Sequence, residues 1–227
     1  MSKENDAYHK GADGKPVSLE PQRVEDGRRF SPSVGRNRDI VRDVFVAHMP
    51  ACGRILEIGS GTGEHGIYIT EALRKLQWTF SDADPVSLSS VKAWMAEAGR
   101  AELDSVLELD ASASDWGAGA EGRSFDGMYC ANVIHISPLE VAKGLFAGAD
   151  RTLAPAGRIF LYGPFGRDGV MADGNARFDL DLKRRDARWG VRDLEREILP
   201  MAERAGFRAA DIVEMPANNL SVVFDRL

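Results

Sequence analysis

The stretch that most constrains this chain is residues 54–70, RILEIGSGTGEHGIYIT. Ile55 to Ile58 is an apolar run of the length and composition of a buried strand. It runs into glycines at alternate positions, Gly59, Gly61 and Gly63, and then into a helix-like segment carrying Ile67, Ile69 and Leu73 among polar residues. A strand, a glycine-rich turn and a helix in succession bring backbone N–H groups close to a ligand. Glycine suits the turn because it adopts positive φ and has no Cβ to hold the ligand off. The spacing narrows the ligand. A phosphate-binding loop of the GxxxxGK type needs a lysine that is absent here. Gly61-x-Gly63-x-x-Gly66 does match the dinucleotide string. Glu57, two residues before Gly59, would repel a polyphosphate but can accept a hydrogen bond from a cation. A turn with no ligand is the alternative.

Length and charge limit the rest. A chain of 227 residues is enough for one α/β domain with a substantial core. With 29 Lys and Arg against 35 Asp and Glu, a broad phosphate-binding surface is disfavoured, and nucleic acid with it. The local basic cluster Lys183, Arg184, Arg185 and Arg188 reads as a solvated helix face. Cys52 and Cys130 form neither a disulfide framework nor a metal-ligand pattern, so no metal is expected. The polar N-terminus lacks an apolar leader core, and no apolar run is long enough to span a membrane, so a cytoplasmic location is expected. Residues 1–29, rich in charge, Gly and Pro, are expected to be flexible or lid-like. Residues 30–227 are then one domain.

Within that domain, a helix is expected from Asn37 or Arg38 to Met49, with Ile40, Val41, Val44 and Phe45 on one face. Arg36 and Asn37 then sit at its entrance, where Arg36 could clamp a carboxylate. Gln77 to Ser81 reads as a second strand ending at Asp82. An acid at that place in a nucleoside-binding βαβ unit accepts hydrogen bonds from ribose hydroxyls. Asp84 before Pro85 suits a helix N-cap, and the two roles could be exchanged. A helix from Val86 to Ala98 stops at Gly99, and Val106 to Asp110 makes a third strand. Phe125 to Val133 is a fourth strand, apolar as a central parallel strand should be. It places Asn132 and His135 at the crevice beyond the strand ends, where ligands bind. His135 has the ordinary pKa to take a proton near neutrality. After a helix from Pro138 to Leu153, Arg158 to Tyr162 is a fifth strand, bringing Tyr162 and Phe165 to the same crevice edge. Residues 167–190 resemble a lid insertion, and 191–206 a helix. Ala209 to Met215 and Leu220 to Phe224 form a closing hairpin, with Asn218 at its turn or on the substrate.

The pattern Glu57-x-Gly59-x-Gly61-x-Gly63 resembles motif I of the class I S-adenosylmethionine-dependent methyltransferases. The set RFSPSVGRN, LEIGSGTGEHG, FSDADP, CANVIHISP, FLYGPF and MPANN looks like the family catalogued as domain of unknown function 938, the methyltransferase-like 26 group. The resemblance runs from Phe30 to the C-terminus. It implies a three-layer α/β sandwich around a seven-stranded, mostly parallel Rossmann-like sheet with an antiparallel C-terminal strand. It implies S-adenosyl-L-methionine as cofactor, held by Glu57, Gly59, Gly61, Gly63 and Asp82, with Asp110 and the N–H of Ala111 at the adenine. Asn132 would meet the transferred methyl group, and Arg36, from its place at the helix entrance, is the candidate for a carboxylate of the cofactor's methionine part or of the substrate. Asn37, His135, Tyr162, Phe165 and Asn218 are left for the acceptor, with His135 first and Tyr162 second as proton acceptor. The expected reaction is in-line methyl transfer to a small molecule, by a monomer or homodimer. An RNA or protein acceptor, or binding without turnover, are the alternatives.

Overall fold

The computed structural model describes residues 19–227. Of the segment expected to be flexible or lid-like, residues 1–18 lie outside that range. The rest forms an antiparallel hairpin, β1 (Arg23–Glu25) and β2 (Arg28–Phe30). Its turn is Asp26-Gly27, both at positive φ (50° and 83°), which matches the right-handed twist of paired strands.

Helix α1 (Pro32–His48) follows, then β3 (Cys52–Ile58) and α2 (Glu64–Ala72). The alternation continues with β4 (Lys75–Asp82), α3 (Pro85–Ala98), β5 (Leu103–Glu108), the short α4 (Ala118–Glu121), β6 (Phe125–Ala131) and α5 (Leu139–Thr152). Next come β7 (Leu153–Gly166), α6 (Asp173–Arg185) and the two-residue β8 (Arg192–Asp193). A single π-turn at Leu194–Ile198 leads into α7 (Leu199–Arg204). The chain ends in β9 (Phe207–Met215) and β10 (Asn219–Arg226).

The main sheet runs β5-β4-β3-β6-β7-β10-β9, with β8 added beside β7. β3 to β7 are parallel, and β10 lies antiparallel between β7 and β9. Two apolar layers cover the sheet. Val41, Phe45, Ile67 and Val91 of α1 to α3 pack on one face with Trp78, Tyr129 and Phe160. Leu145 and Phe146 of α5 and Met201 of α7 pack on the other with Leu56, Met128 and Phe224. The central strands are therefore buried on both sides, which is why β3 and β6 read as nearly continuous apolar runs. Between β9 and β10, Ala217 and Asn218 both take left-handed φ (59° and 57°), the conformation a tight hairpin turn demands.

Several boundaries differ from expectation. α1 begins at Pro32, a favoured first-turn residue, so Arg36 and Asn37 lie inside the helix rather than at its entrance. β7 begins directly after α5, because Ala154 to Gly157 continue in extended backbone. The expected helix over 191–206 is a strand bridge, a π-turn and a short helix. Among the described residues no helix is long and apolar enough to cross a membrane.

Candidate functional site

Strand β3 delivers the chain into the glycine turn with Gly59, Gly61 and Gly63 at φ of 68°, 55° and 90°. Backbone conformation excludes most side chains at all three, but the space around them differs. A Cβ at Gly59 would lie 2.4 Å from a Val133 methyl, and one at Gly63 3.2 Å from the Val91 Cα. A Cβ at Gly61 would meet nothing within 4 Å. Gly59 and Gly63 therefore close the turn onto the fold, and Gly61 presents bare backbone to open space. The turn is tied to β4 by Ser60 N–H donating to Ser81 O and Gly61 N–H to Asp82 Oδ2, both 2.8 Å.

Glu57 lies under this turn. It is 2 % exposed, and its Oε2 accepts from Ser60 Oγ and from Trp78 Nε1, each at 3.0 Å. Burial pushes its pKa up to about 8, with nearby Asp82 adding to the rise, while the Trp78 and Ser60 hydrogen bonds oppose it. Gly66 completes the arrangement, since a Cβ there would come within 2.4 Å of Trp78 Nε1 and 2.8 Å of Glu57 Oε2. The residue expected to face a cation thus also supports the loop from below.

At the end of β4, Asp82 Oδ2 holds Gly61 and Oδ1 accepts from Asp84 N–H at 2.9 Å. Asp84 caps α3, its Oδ2 accepting from Ser87 N–H at 2.6 Å. Asp110 is an exposed turn residue beyond β5, with Oδ1 accepting from Ser112 N–H and Oγ–H. Ala111 is buried against α5, its carbonyl oxygen 1.9 Å from where a Cβ on Gly144 would be. Trp116 packs on Gly148 of α5 in the core.

The phase of α1 changes its candidates. Val41 and Phe45 are buried, and Arg36 lies on the opposite face, 63 % exposed and paired with Glu20 at 2.8 Å. Arg38 lines a groove of about 310 Å³ beside the glycine turn, together with Arg23, Phe30, Gly35 and Glu64. Glu64, the first residue of α2, accepts from Ser31 N–H (2.7 Å) and Thr62 Oγ–H (2.9 Å) through Oε2. Burial raises its pKa, against those hydrogen bonds and the charges of Arg38 and Arg23. Arg38 and Glu64 were not singled out from the sequence. The signal for Arg38 was there, since it shares a helical face with Val41 and Phe45.

Beyond the sheet, the acceptor candidates divide. Asn132 follows β6 at φ 60°, its N–H donating to Tyr162 O at 2.8 Å. His135 is 1 % exposed, its ring edge-on to Phe165 at 5.1 Å. A Cβ on Gly163 would fall 2.5 Å from His135 Nε2 and 3.1 Å from Asn132 Oδ1, so these two polar atoms converge there. Tyr162 and Phe165, expected at one crevice edge, lie on opposite faces of β7, because side chains alternate along a strand. Tyr162 packs toward α1, where its hydroxyl accepts from Asn37 Nδ2 at 3.3 Å. His135 is a weak proton acceptor, since burial, with help from Arg192, lowers its pKa to about 3. Asn218 is exposed and contributes its carbonyl to Asn175 Nδ2 at 3.0 Å. The basic cluster is interleaved with acids: Lys183 pairs with Asp179, Arg185 with Asp181 and Arg188 with Asp186. Among the described residues no group of three or more His, Cys, Asp or Glu is placed to hold a metal ion.

A family model described as a protein of unknown function, DUF938, matches residues 28–226. Among solved structures, an O-methyltransferase family protein from Burkholderia thailandensis superposes with a TM-score of 0.71 at 14 % identity, over 86 % of this chain and 56 % of that one. An O-methyltransferase family 2 protein from Planctomyces limnophilus, solved with apigenin, gives 0.70 at 16 % identity over 86 % and 60 %. CalO1, a methyltransferase in calicheamicin biosynthesis solved in its SAH-bound form, gives 0.66 at 18 % identity over 86 % and 54 %. The likeness establishes a methyltransferase-type Rossmann-like fold with its antiparallel C-terminal strand. This chain spans less than two thirds of the length of each of these proteins.

Proposed function

The chain belongs to the DUF938 family, and from its fold and site we propose that it is an S-adenosylmethionine-dependent methyltransferase acting on a small-molecule acceptor by in-line displacement. The narrower likeness to the methyltransferase-like 26 group, a cytoplasmic location and a monomeric or homodimeric state belong to the same proposal. The observation that carries it is the open face of Gly61 beside Asp82, at the carboxyl ends of β3 and β4. The residues present fit this cofactor. No lysine serves a phosphate in the loop. Arg38 and Glu64 offer a guanidinium and a carboxyl group beside the turn, partners for the carboxylate and ammonium of an amino-acid end. In this reading Asp82 would accept from the ribose hydroxyls, and Asp110 with Ala111 would meet the base.

When bound, S-adenosylmethionine supplies a methyl group already activated on a sulfonium sulfur. The protein's part is mainly alignment. The glycine turn would orient the nucleoside, Arg38 and Glu64 would hold the amino-acid end, and Asn132 would narrow the crevice at the end of β6. With a pKa near 3, His135 is neutral at pH 7 and serves as a hydrogen-bonding group rather than a strong base.

Calorimetry of the purified protein with S-adenosylhomocysteine tests the proposal, with saturable one-to-one binding expected. Gly61→Arg should abolish binding while costing only about 1 kcal/mol of stability, the strain of left-handed φ with no steric conflict. Absence of binding by the unmodified protein would defeat the proposal.

A further inference from the structure

The β1–β2 hairpin stands against the glycine turn, and the reason lies in its contacts. Its strands have three residues each, and an isolated two-stranded hairpin is marginal in water. Its place is set by α2 and α3. On α3, Trp94 Nε1 donates to Arg29 O at 3.0 Å, and the Trp94 ring meets Phe30 edge-on at 4.8 Å. The Arg28 guanidinium lies 5.2 Å from the same ring.

The hairpin is also tied to the glycine turn, twice, through one turn residue. The Ser90 hydroxyl of α3, 1 % exposed, accepts from Arg29 N–H at 2.9 Å and donates to Thr62 O at 2.8 Å. Glu64 Oε2 accepts from Ser31 N–H and from Thr62 Oγ–H. Thr62, between Gly61 and Gly63, is thus braced to the chain on both sides of Phe30. Moving the hairpin away would leave buried Ser90 and Glu64 each short of a partner, which costs free energy. In place, the hairpin supplies Phe30 and Arg23 to the groove of about 310 Å³ that holds Arg38 and Glu64. The Arg23 guanidinium stacks on the Phe30 ring, 3.7 Å from its centre.

We propose that the β1–β2 hairpin is the outer wall for the amino-acid end of the cofactor, and that Trp94 is the residue that positions this wall. The inference rests on the methyltransferase reading of the site. With the hairpin docked, the groove is lined by two guanidinium groups, Arg23 and Arg38, and one carboxyl group, Glu64. Arg23 also pairs with the exposed Glu25. Such a lining favours a ligand end that carries a carboxylate. The Phe30 ring displaces water on that side, which strengthens charge interactions inside the groove. The nucleoside contacts proposed at Gly61 and Asp82 involve no hairpin residue. The wall therefore acts on one end of the ligand only.

Two ligands separate the two ends. 5′-Methylthioadenosine has the nucleoside and sulfur of S-adenosylhomocysteine without the amino-acid end. In calorimetry, Trp94→Leu should weaken S-adenosylhomocysteine binding about tenfold and leave 5′-methylthioadenosine affinity unchanged. A role confined to stability would move both alike. Trp94→Phe, which keeps a ring against Phe30, should recover most of the lost affinity. Coupling is reciprocal, so the ligand must also hold the wall. S-adenosylhomocysteine should slow tryptic cleavage of the unmodified protein after Arg23, Arg28 and Arg29, and 5′-methylthioadenosine at saturation should not. Equal effects of Trp94→Leu on both ligands, no effect on either, or equal protection of the hairpin by both would overturn the inference and leave the methyltransferase proposal standing. Failure of the unmodified protein to bind either ligand would defeat that proposal and this inference together.

Discussion

Glu57→Gln separates a carboxylate that serves the ligand from one that serves the loop. In the folded chain the Glu57 carboxyl titrates at about 8, against 4.5 in ordinary surroundings. Between pH 4.5 and 7 the native state therefore retains a proton that the unfolded chain has released. Stability must fall as pH rises through this window, at about 1.4 kcal/mol per pH unit. From pH 4.5 to 7 the loss is about 3 kcal/mol. A glutamine does not titrate, and its carboxamide oxygen can accept the same hydrogen bonds from Ser60 and Trp78. The stability of Glu57→Gln relative to the unmodified protein should thus increase by about 3 kcal/mol between pH 4.5 and 7. Urea unfolding of both proteins at half-unit steps of pH reads this directly. Parallel stability curves would refute the reasoning, because they would mean that Glu57 is ionised in the native state. Calorimetry supplies the second half. If Glu57 acts by holding the turn, S-adenosylhomocysteine affinity changes less than threefold. A loss of tenfold or more would assign it to the ligand's ammonium group as a charge.

The histidines work in the opposite direction. His65 and His135 are held neutral by burial, to about 4 and 3, so the unfolded chain binds protons near pH 6.5 that the native state refuses. Stability is lost as pH falls below 6.5, and His65→Gln should reduce the loss between pH 6.5 and 4.5 by about 2 kcal/mol in urea titrations. An undiminished loss would contradict a neutral His65. Arg38→Met should weaken S-adenosylhomocysteine binding about tenfold by removing a charge-assisted hydrogen bond, whereas Arg36→Met should not change it. The reverse order would restore Arg36 as the clamp. Asp82→Ala should cost about 1–3 kcal/mol of binding, with Gly61 N–H losing its acceptor at the same time. Unchanged calorimetric affinity would move the ribose contact elsewhere.

Local chemistry was legible in the sequence where one residue decides the conformation. The alternate glycines after β3, Asp84 before Pro85 as a helix cap and Gly99 as a left-handed stop all stand where their residue types require. Two strands without an intervening helix at the C-terminus likewise led to the antiparallel β10. The hairpin over 23–30 carried its own signal in Asp26-Gly27, but the surrounding charge hid it. Its strands gain their apolar contact late, through Phe30 against Trp94 of α3, some sixty residues on.

Phase was harder to read than position. A start at residue 37 or 38 and a start at Pro32 give α1 the same buried Val41 and Phe45, yet only the second places Arg36 within a helix and therefore on its outer face. On β7, Tyr162 and Phe165 are three residues apart, an odd interval, so strand geometry alone separates them onto opposite faces. That separation parts two groups of polar and aromatic side chains. One is His135 with Phe165 on the α5 face, and the other is Tyr162 with Asn37 on the α1 face. No motif marks the second, because its polar atoms come from positions 37, 65, 129, 162 and 221 on five different elements. A cofactor loop is contiguous in sequence because backbone conformation makes it. These polar side chains are gathered on one sheet face by the packing of α1 and α2, and only the folded chain brings them together.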